Sequence, residues 1–247
     1  MCIRDRLPDV IAMTITVIRD TVVCLDENNE PLRDIILWLD KRSVDPNGAM
    51  PAKNMMVFKL AGMEPTAKVV YAASAGNWIM RHEPEIWART AKYVMLPTYL
   101  NYKLTGNLID SASNQIGHIP FDYKNRRWMK PGSLTRCFCD VPNEKLCDLV
   151  PSGTVIGTVT EEVSALTGIP AGLPLISTGS DKGCETLGLA VVDSDKASIS
   201  LGTTATIQFS TTQYVEPQQF LPAYPGVLND HYNPEIEIYR GLWLLSW

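Results

Sequence analysis

The strongest structural constraint in this sequence is a pair of alternating segments that flank a short turn. Residues 197–201 (ASISL) and 205–210 (ATIQFS) each alternate apolar and polar side chains, and residues 202–204 (GTT) separate them. A period of two on both sides of a short Gly-containing loop predicts a β-hairpin. In-register pairing sets Leu201 opposite Ala205 and places every apolar residue on one face. A slip of one residue would destroy this match, so the register is well specified.

Two turns in this part of the chain carry groups that suit chemistry. The hairpin turn offers small residues, backbone N–H groups and two hydroxyls, which suit an anion such as phosphate. Upstream, an apolar run ends at residues 179–181 (GSD), just before a helix-like segment. Asp181 is a candidate catalytic carboxylate, but it is also explained as the N-cap of that helix. The Gly-Thr-Thr loop is also explained as an ordinary turn.

The combination of these features is more specific than either turn. A strand, a Gly-x-Asp turn, a helix and a Ser-Leu-Gly-Thr-Thr hairpin together resemble the FGGY carbohydrate kinases. The resemblance implies an α/β chain of the actin-like ATPase (ribonuclease H-like) fold, with a nearly complete N-terminal lobe and a truncated C-terminal lobe. It also implies that Asp181 is the general base for a sugar hydroxyl. Gly202, Thr203 and Thr204 would then hold phosphates of ATP.

Composition and charge exclude several classes of protein. The net charge of −5 gives no reason to expect nucleic acid or an anionic membrane as a partner. No apolar run reaches the roughly 18 residues of a membrane span. The six cysteines are scattered, which is typical of a reducing cytosol and predicts a cytoplasmic protein. Cys137, Cys139 and Cys147 have no CxxC pair and no nearby histidine, so no metal site is predicted.

The apolar runs in the N-terminal part of the chain predict three strands with polar groups at their ends. Residues 10–17 (VIAMTITV) are predicted to form a buried strand, and residues 21–25 and 35–39 form the next two. Arg19 and Asp20 lie between the first two of these strands. Charged groups at strand ends are suited to the hydroxyls of a polyol, although these residues taken alone favour a surface ion pair.

Trp38, Asp40 and Arg42 follow the third predicted strand at alternating positions, which would project to one side. An aromatic ring suits a C–H face of a sugar, but Trp38 is also explained as a core residue. Residues 21–42 resemble a stretch of the FGGY kinases that ends in Trp-x-Asp-x-Arg, the pattern that Trp38, Asp40 and Arg42 match. The resemblance implies a substrate site of Arg19, Asp20, Trp38 and Asp40.

Two departures from known branches of the family leave the substrate open. Xylulokinases carry Met-His-Gly at the first site, where this sequence has Arg19 and Asp20. Glycerol kinases carry an aromatic residue three positions after the hairpin threonine, where this sequence has Thr206. The resemblance therefore implies a sugar or polyol substrate without naming it.

The middle of the chain is predicted to be mostly helical. Helices joined by loops are predicted for residues 43–92, and a helix that ends at Gly106 is predicted for residues 93–106. Asp110 and the residues after it resemble the Asp-x-x-x-Ala-Ser element of the family, beside the cleft. His118 has no acidic partner at a useful spacing and is interpreted as structural.

The resemblance also divides the chain and implies an activity. Residues 1–193 are predicted to form the N-terminal lobe and residues 194–247 the beginning of the ATP-binding lobe, with a polar break at residues 193–196. The first six residues and the apolar end suggest a fragment. No first phosphate loop precedes Val10, so this chain alone is expected to bind ATP poorly.

The implied reaction is transfer of a phosphoryl group from ATP, with Mg²⁺, to a hydroxyl of a small sugar or polyol. A non-catalytic sugar-binding or regulatory protein of the same fold is the alternative, and it would not need Asp181. An actin-like filament or chaperone ATPase would share the hairpin but not the sugar site. The sequence leaves the oligomeric state open, and a homo-oligomer is compatible with it.

Overall fold

A computed structural model of the protein describes residues 9–202, 204–218, 221–239 and 241. The predictions for Thr203, for residues 1–6 and for the apolar run 242–247 therefore lie outside the described residues. None of the helices in the described part of the chain is long and apolar enough to cross a membrane.

The strands in these ranges are short and form several small sheets. In chain order they are β1 (Val22–Leu25), β2 (Lys92–Met95), β3 (Ile109–Ser111), β4 (Phe121–Asp122), β5 (Arg127–Trp128), β6 (Asp148–Val150), β7 (Val155–Thr158), β8 (Pro174–Ile176), β9 (Ala197–Leu201), β10 (Thr204–Phe209), β11 (Tyr224–Pro225), β12 (Tyr232–Asn233) and β13 (Glu235–Tyr239). Antiparallel pairs are β1–β2, β4–β5, β7–β8 and β11–β12, while β3 and β6 are parallel. The order β13–β10–β9 forms an antiparallel three-stranded sheet.

The helices confirm the mostly helical interpretation of residues 43–92. They are α1 (Ala52–Leu60), α2 (Glu64–Ala73), α3 (Ala75–His82), α4 (Pro84–Arg89), α5 (Leu96–Thr105), α6 (Glu161–Thr167) and α7 (Asp181–Gly188), with 3₁₀ turns at Ala112–Asn114, Leu134–Phe138 and Asn143–Lys145. Gly106 ends α5 at φ 79°. This left-handed conformation is the usual C-terminal stop of a helix and favours glycine. The predicted helix 93–106 was too long, because its first residues pair with β1 as β2.

The prediction of a buried strand at residues 10–17 is wrong. Within this segment, only Met13 makes backbone hydrogen bonds to β8. Its N–H donates to Pro174 O, and its carbonyl oxygen accepts from Ile176 N–H, both at 2.9 Å. Ile11 is fully exposed to solvent at one end of the segment. The segment thus lies along one edge of β8, and β8 is too short to pair with all of it.

The predicted strand at residues 35–39 is also wrong, although the next one is correct. Residues 21–25 form β1 almost as predicted, and every residue of β1 is buried. Ile36 makes a single bridge to Val22, and the chain then turns so that Asp40 N–H bonds to Leu37 O at 2.9 Å. A turn, and not a strand, therefore presents the side chains that follow Ile36.

The predicted hairpin register is confirmed. Leu201 pairs with Ala205, and Ile199 pairs with Ile207. The apolar residues share one face as expected, but that face is exposed, with Ile199 62% accessible. The opposite, polar face carries Gln208 and is buried. The polar face is buried because it packs toward charged groups of the candidate site, which supply its hydrogen bonds.

The main hydrophobic core lies around β1 and β2. Its buried members include Val22, Ile79, Tyr93, Phe121 and Val141, with Trp78 and Trp87 packed against them. The two tryptophans reach this core from α3 and α4. The loop that follows residue 17 and leads into β1 carries the first residues of the candidate site.

Candidate active site

Asp181 is the first residue of α7, and its carboxylate is partly open to solvent. The helix is capped by Ser180, whose side-chain oxygen accepts from Gly183 N–H at 3.3 Å, so the interpretation of Asp181 as the N-cap is wrong. Asp181 Oδ1 accepts from Lys182 N–H at 2.8 Å. The side chain is 32% exposed. A carboxylate in this position can still accept a proton from a bound molecule.

Arg19 connects Asp181 with a second carboxylate. Arg19 Nε lies 3.5 Å from Asp181 Oδ1. Its Nη2 lies 2.9 Å and 3.0 Å from the two carboxylate oxygens of Glu235. The guanidinium also lies over the ring of Tyr224, at 5.3 Å from its centroid. The pKa of Arg19 is lowered by burial, but the adjacent Glu235 outweighs this effect and raises it, so the residue is held as a cation.

Glu235 is a site residue that sequence reasoning missed. It is 4% exposed and lies on β13, where it pairs with Gln208 of β10. Gln208 Nε2 donates to Glu235 Oε2 at 2.6 Å, and Thr186 Oγ1 donates to the side-chain Oε1 of Gln208. The signal was present in the alternation of residues 235–238 (EIEI), because a period of two sets Glu235 on the buried polar face of the sheet.

Asp20 adopts a left-handed backbone conformation with φ 48°. His118 contacts both of its carboxylate oxygens, with the backbone N–H at 2.8 Å and Nδ1 at 2.6 Å. The interpretation that His118 has no acidic partner is therefore wrong, because Asp20 lies far away in sequence and next to it in the fold. Burial lowers the pKa of His118, but the hydrogen bond and charge of Asp20 outweigh burial and raise it.

Trp38, Asp40 and Asp20 line one small cleft. Its lining residues are Asp20, Ile36, Leu37, Trp38, Asp40, Arg42, Ala73 and Ala75. The cleft is a shallow depression that opens to solvent. The structure thus brings the predicted Trp-x-Asp-x-Arg residues to the same cleft as Asp20.

Asp40 and Arg42 are paired with each other inside this cleft. Arg42 Nη2 lies 2.8 Å from Asp40 Oδ2, and the guanidinium lies over the ring of Trp78 at 4.6 Å. Hydrogen bonds from Arg42 lower the pKa of Asp40. Asp40 is therefore an ionised acceptor whose position depends on Arg42.

The hairpin turn lies close to the start of α7. Lys182 Nζ donates to Ser200 Oγ at 2.8 Å, and Ser200 is two residues before Gly202. Gly202 N–H donates to Thr204 O at 3.2 Å, so this predicted phosphate donor already has a partner within the turn. Among the described residues, a side chain added at Gly202 would meet only Thr204 O, at 3.7 Å. Gly202 therefore adds no side chain where a ligand could approach the backbone.

A buried carboxylate behind the site organises the turn at residues 111–116. Asp110 Oδ1 accepts from Ser111 N–H at 2.7 Å and from Asn114 Nδ2 at 2.9 Å. Asp110 Oδ2 accepts from Thr98 Oγ1 at 2.9 Å and from Gln115 Nε2 at 3.2 Å. Burial raises the pKa of Asp110 to about 6, although these hydrogen bonds act in the opposite direction.

The same turn holds both halves of the site. Ser180 N–H donates to Ser113 O at 3.1 Å, which fixes the loop before Asp181. Asp20 N–H donates to Ile116 O at 3.0 Å, which fixes the loop that carries the candidate sugar ligands. The Asp-x-x-x-Ala-Ser element therefore joins the candidate base to the candidate sugar site.

We expect Asp110 to make the free energy of unfolding depend on pH between about 4 and 6. The unfolded carboxyl has a pKa of about 3.9, so in this window the folded protein binds a proton that the unfolded chain has lost. Stability should therefore fall as pH rises, by about 3 kcal/mol across the window. Urea unfolding of the protein and of Asp110→Asn from pH 4 to 7 measures this loss of stability with rising pH, which should vanish in the variant.

Asp148→Asn is the matched control, since Asp148 is an exposed carboxylate on the strand that pairs with β3. It should retain the pH dependence of the unchanged protein. Parallel curves for the unchanged protein and Asp110→Asn would show that Asp110 does not bind the proton.

Comparison with known proteins places this geometry in a family. The profile of the N-terminal domain of the FGGY family of carbohydrate kinases matches residues 5–188, which is most of the chain. The chain belongs to the FGGY family of carbohydrate kinases. The matched FGGY domain includes Arg19, Asp20, Trp38, Asp40 and Asp181, while the hairpin lies after it.

Curated relatives of this FGGY chain are sugar kinases. The uncharacterized sugar kinase YgcE of Escherichia coli K12 is 33% identical over 150 residues, which are 60% of this chain and 30% of the relative. The xylulose kinase of the same organism is 28% identical over 202 residues, which are 81% of this chain and 40% of the relative. The FGGY chain thus spans less than half the length of these two relatives.

Solved structures support the predicted fold class. The crystal structure of ligand-bound xylulose kinase from Lactobacillus acidophilus matches with a TM-score of 0.76 and 20% identity, over 99% of this chain and 50% of that one. This FGGY chain therefore has the mixed α/β, actin-like ATPase fold of the sugar kinases and covers about half of it. The lobe boundary at residue 193 stays a prediction.

Proposed function

We propose that the protein phosphorylates a hydroxyl of a small sugar or polyol with ATP as the donor. The observation that carries the proposal is the 3.5 Å contact between Arg19 Nε and Asp181 Oδ1. It brings a candidate sugar ligand and a candidate base together from distant parts of the sequence. Membership of a carbohydrate kinase family supports the same reaction.

Asp181 is the proposed general base. Its partly exposed carboxylate would accept the proton of the sugar hydroxyl as the oxygen attacks the γ-phosphorus of ATP. Arg19 would donate to a sugar hydroxyl, because a guanidinium has five N–H groups and its contacts with two carboxylates use only some of them. Asp20 and Asp40 would accept hydroxyl protons, and Trp38 would cover a C–H face of the sugar.

The hairpin is the proposed phosphate loop. Gly202 leaves room for a phosphate to approach the backbone, and Thr204, the first residue of β10, adds a hydroxyl beside it. The ammonium group of Lys182, next to Ser200, adds a positive charge near this turn. Thr203 belongs to the proposal on the evidence of the sequence alone.

Mg²⁺ would offset the negative charge of the phosphates. The described residues contain no group of three or more His, Cys, Asp or Glu side chains that could hold a metal ion. Mg²⁺ is usually bound by one or two carboxylates together with substrate phosphates. The proposed role of the chain is to hold the nucleotide phosphates that carry the ion.

The proposed substrate is a class of small sugars and polyols and not one named sugar. Two relatives are named sugar kinase and xylulose kinase. This chain carries Arg19 and Asp20 where xylulokinases carry Met-His-Gly, so the hydrogen-bonding groups at this position differ. Ketoses, aldonates and polyols all offer the hydroxyl and C–H groups that the cleft can bind.

The proposal is tested on the protein expressed at the full length of its gene. ATP consumption is measured against a panel of ketoses, aldonates and polyols, and the phosphorylated product is identified by mass. Turnover with members of one class is the expected result. Sugar binding measured by calorimetry without any turnover would favour the regulatory alternative. The absence of both sugar binding and turnover would overturn the proposal.

A further inference from the structure

Asp20 occupies a backbone conformation that the rest of the structure must maintain. Its φ of 48° lies in the left-handed region, which a residue with a Cβ adopts rarely. Residues in such conformations persist where their surroundings hold them, and they often mark functional positions. Asp20 also lines the cleft that contains Trp38. Its contacts therefore decide how its carboxylate faces the cleft.

These contacts come from one short segment, Ile116–His118. Ile116 O accepts the Asp20 N–H at 3.0 Å. The His118 N–H donates to Asp20 Oδ1 at 2.8 Å, and His118 Nδ1 lies 2.6 Å from Asp20 Oδ2. The backbone and both carboxylate oxygens of Asp20 are thus held by Ile116 and His118, the two residues that flank Gly117.

Gly117 makes this close contact sterically feasible. A Cβ at Gly117 would lie 2.4 Å from Asp20 Oδ1 and 2.9 Å from Asp20 Cα. The φ of Gly117 is 152°, which a residue with a side chain would also adopt only with strain. The hydroxyl of Tyr123 bonds to the N–H and carbonyl of Gly117 at 3.1 Å and 3.0 Å, which fixes the segment from the other side.

We propose that Ile116, Gly117 and His118 form a clamp that orients the Asp20 carboxylate toward the sugar, with His118 as a positioning residue for substrate binding. An ionised carboxylate has about four acceptor positions, two on each oxygen. The clamp uses one on each oxygen and leaves one on each for sugar hydroxyls. This inference rests on the proposed sugar site and adds a residue that does not itself line the cleft.

The clamp has an electrostatic consequence. The charged or titratable groups around His118 are the Asp20 carboxylate, the Tyr123 hydroxyl on Gly117, and Arg19 and Tyr224 beyond Asp20. Asp20 raises the pKa of His118 above its usual value of about 6.5. The imidazolium should hold Asp20 firmly below this pKa, and the contact should weaken as pH rises through it. The KM for the sugar should rise over the same range.

The test compares two variants of the protein expressed at the full length of its gene. His118→Leu removes the side-chain donor and should raise the KM for the sugar by about tenfold or more, while kcat changes by less than about threefold. His118→Asn keeps a donor near the position of Nδ1 but does not titrate. It should retain a KM close to that of the unchanged protein and lose the rise of KM with pH.

His231→Leu is the matched control, because His231 Nδ1 lies 2.6 Å from Asp230 in another His–Asp pair away from the cleft. Its KM and its pH profile should equal those of the unchanged protein. The KM for ATP should stay constant in all variants. If His118→Leu does not fold, the pH profile of KM in the unchanged protein and in His118→Asn gives the answer.

The outcomes separate this inference from the proposed function. Turnover with an unchanged sugar KM in His118→Leu, or an equal pH profile in His118→Asn, would overturn the clamp and leave the kinase proposal intact. If no sugar is phosphorylated, calorimetry still measures sugar affinity, which should fall about tenfold in His118→Leu. Sugar binding that His118→Leu leaves unchanged, or no sugar binding at all, would overturn the clamp.

Discussion

Replacing Asp181 by Asn is expected to lower kcat by about 10²–10⁴-fold, the usual contribution of a general base. The amide of Asn occupies the space of the carboxylate but cannot accept the proton of the sugar hydroxyl. The Arg19 guanidinium, 3.5 Å away, keeps its second partner Glu235. The sugar KM should therefore change little, and steady-state kinetics on the sugar found by screening separate the two parameters.

The loss of activity is not expected to result from unfolding. Asp181 is partly exposed, and Ser180 provides the helix cap. A negative charge in the first turn of a helix contributes about 0.3–1 kcal/mol, so the unfolding midpoint should move only slightly. Asp195→Asn, in an exposed turn, is the matched control and should keep full activity. A kcat within threefold of the unchanged protein in Asp181→Asn would remove Asp181 from the role of base.

Local patterns in the sequence predicted the parts of the fold that depend on neighbours in the chain. The alternation around Ile199 and Ile207 is enough to set the hairpin register, because a slip of one residue reverses the faces. Gly106 ends α5 as predicted, since it has the left-handed conformation that glycine adopts without strain. These features require no knowledge of distant residues.

Other features depend on partners that local patterns do not identify. The apolar run at residues 10–17 suits a strand, but only Met13 has a partner in β8. Asp20 pairs with His118 and Arg19 pairs with Glu235, and both partners lie far away in sequence. The apolar face of the hairpin was predicted correctly as a face. The exposure of this face was not predictable, because it is the polar face that packs on a distant element, where Gln208 bonds to Thr186 of α7.

The candidate site was predicted as separate residues and not as a network. The sequence indicated Arg19 and Asp181 independently, each with a general reason for binding or catalysis. Their contact makes Arg19 depend on two carboxylates, one of which lies in a segment predicted to belong to the other lobe. A change at Arg19 should therefore affect stability as well as sugar binding.

Arg19→Met is expected to lower the free energy of unfolding by about 3–5 kcal/mol, the usual cost of leaving one member of a buried ion pair without its partner. Glu235 is 4% exposed, and after the substitution Gln208 would remain as its side-chain donor. A loss of this size is a large fraction of the total stability of a typical domain, about 5–15 kcal/mol. Urea unfolding monitored by tryptophan fluorescence measures it.

The double variant Arg19→Met with Glu235→Gln tells whether the uncompensated charge is the cause. A neutral amide at position 235 can still accept from Gln208 Nε2, so the double variant should recover most of the lost stability. Met at position 19 keeps much of the apolar stem of arginine, so lost packing contributes little to the difference. If the double variant is as unstable as Arg19→Met, the loss comes from the packing of Arg19 against Tyr224 and not from the orphaned charge of Glu235.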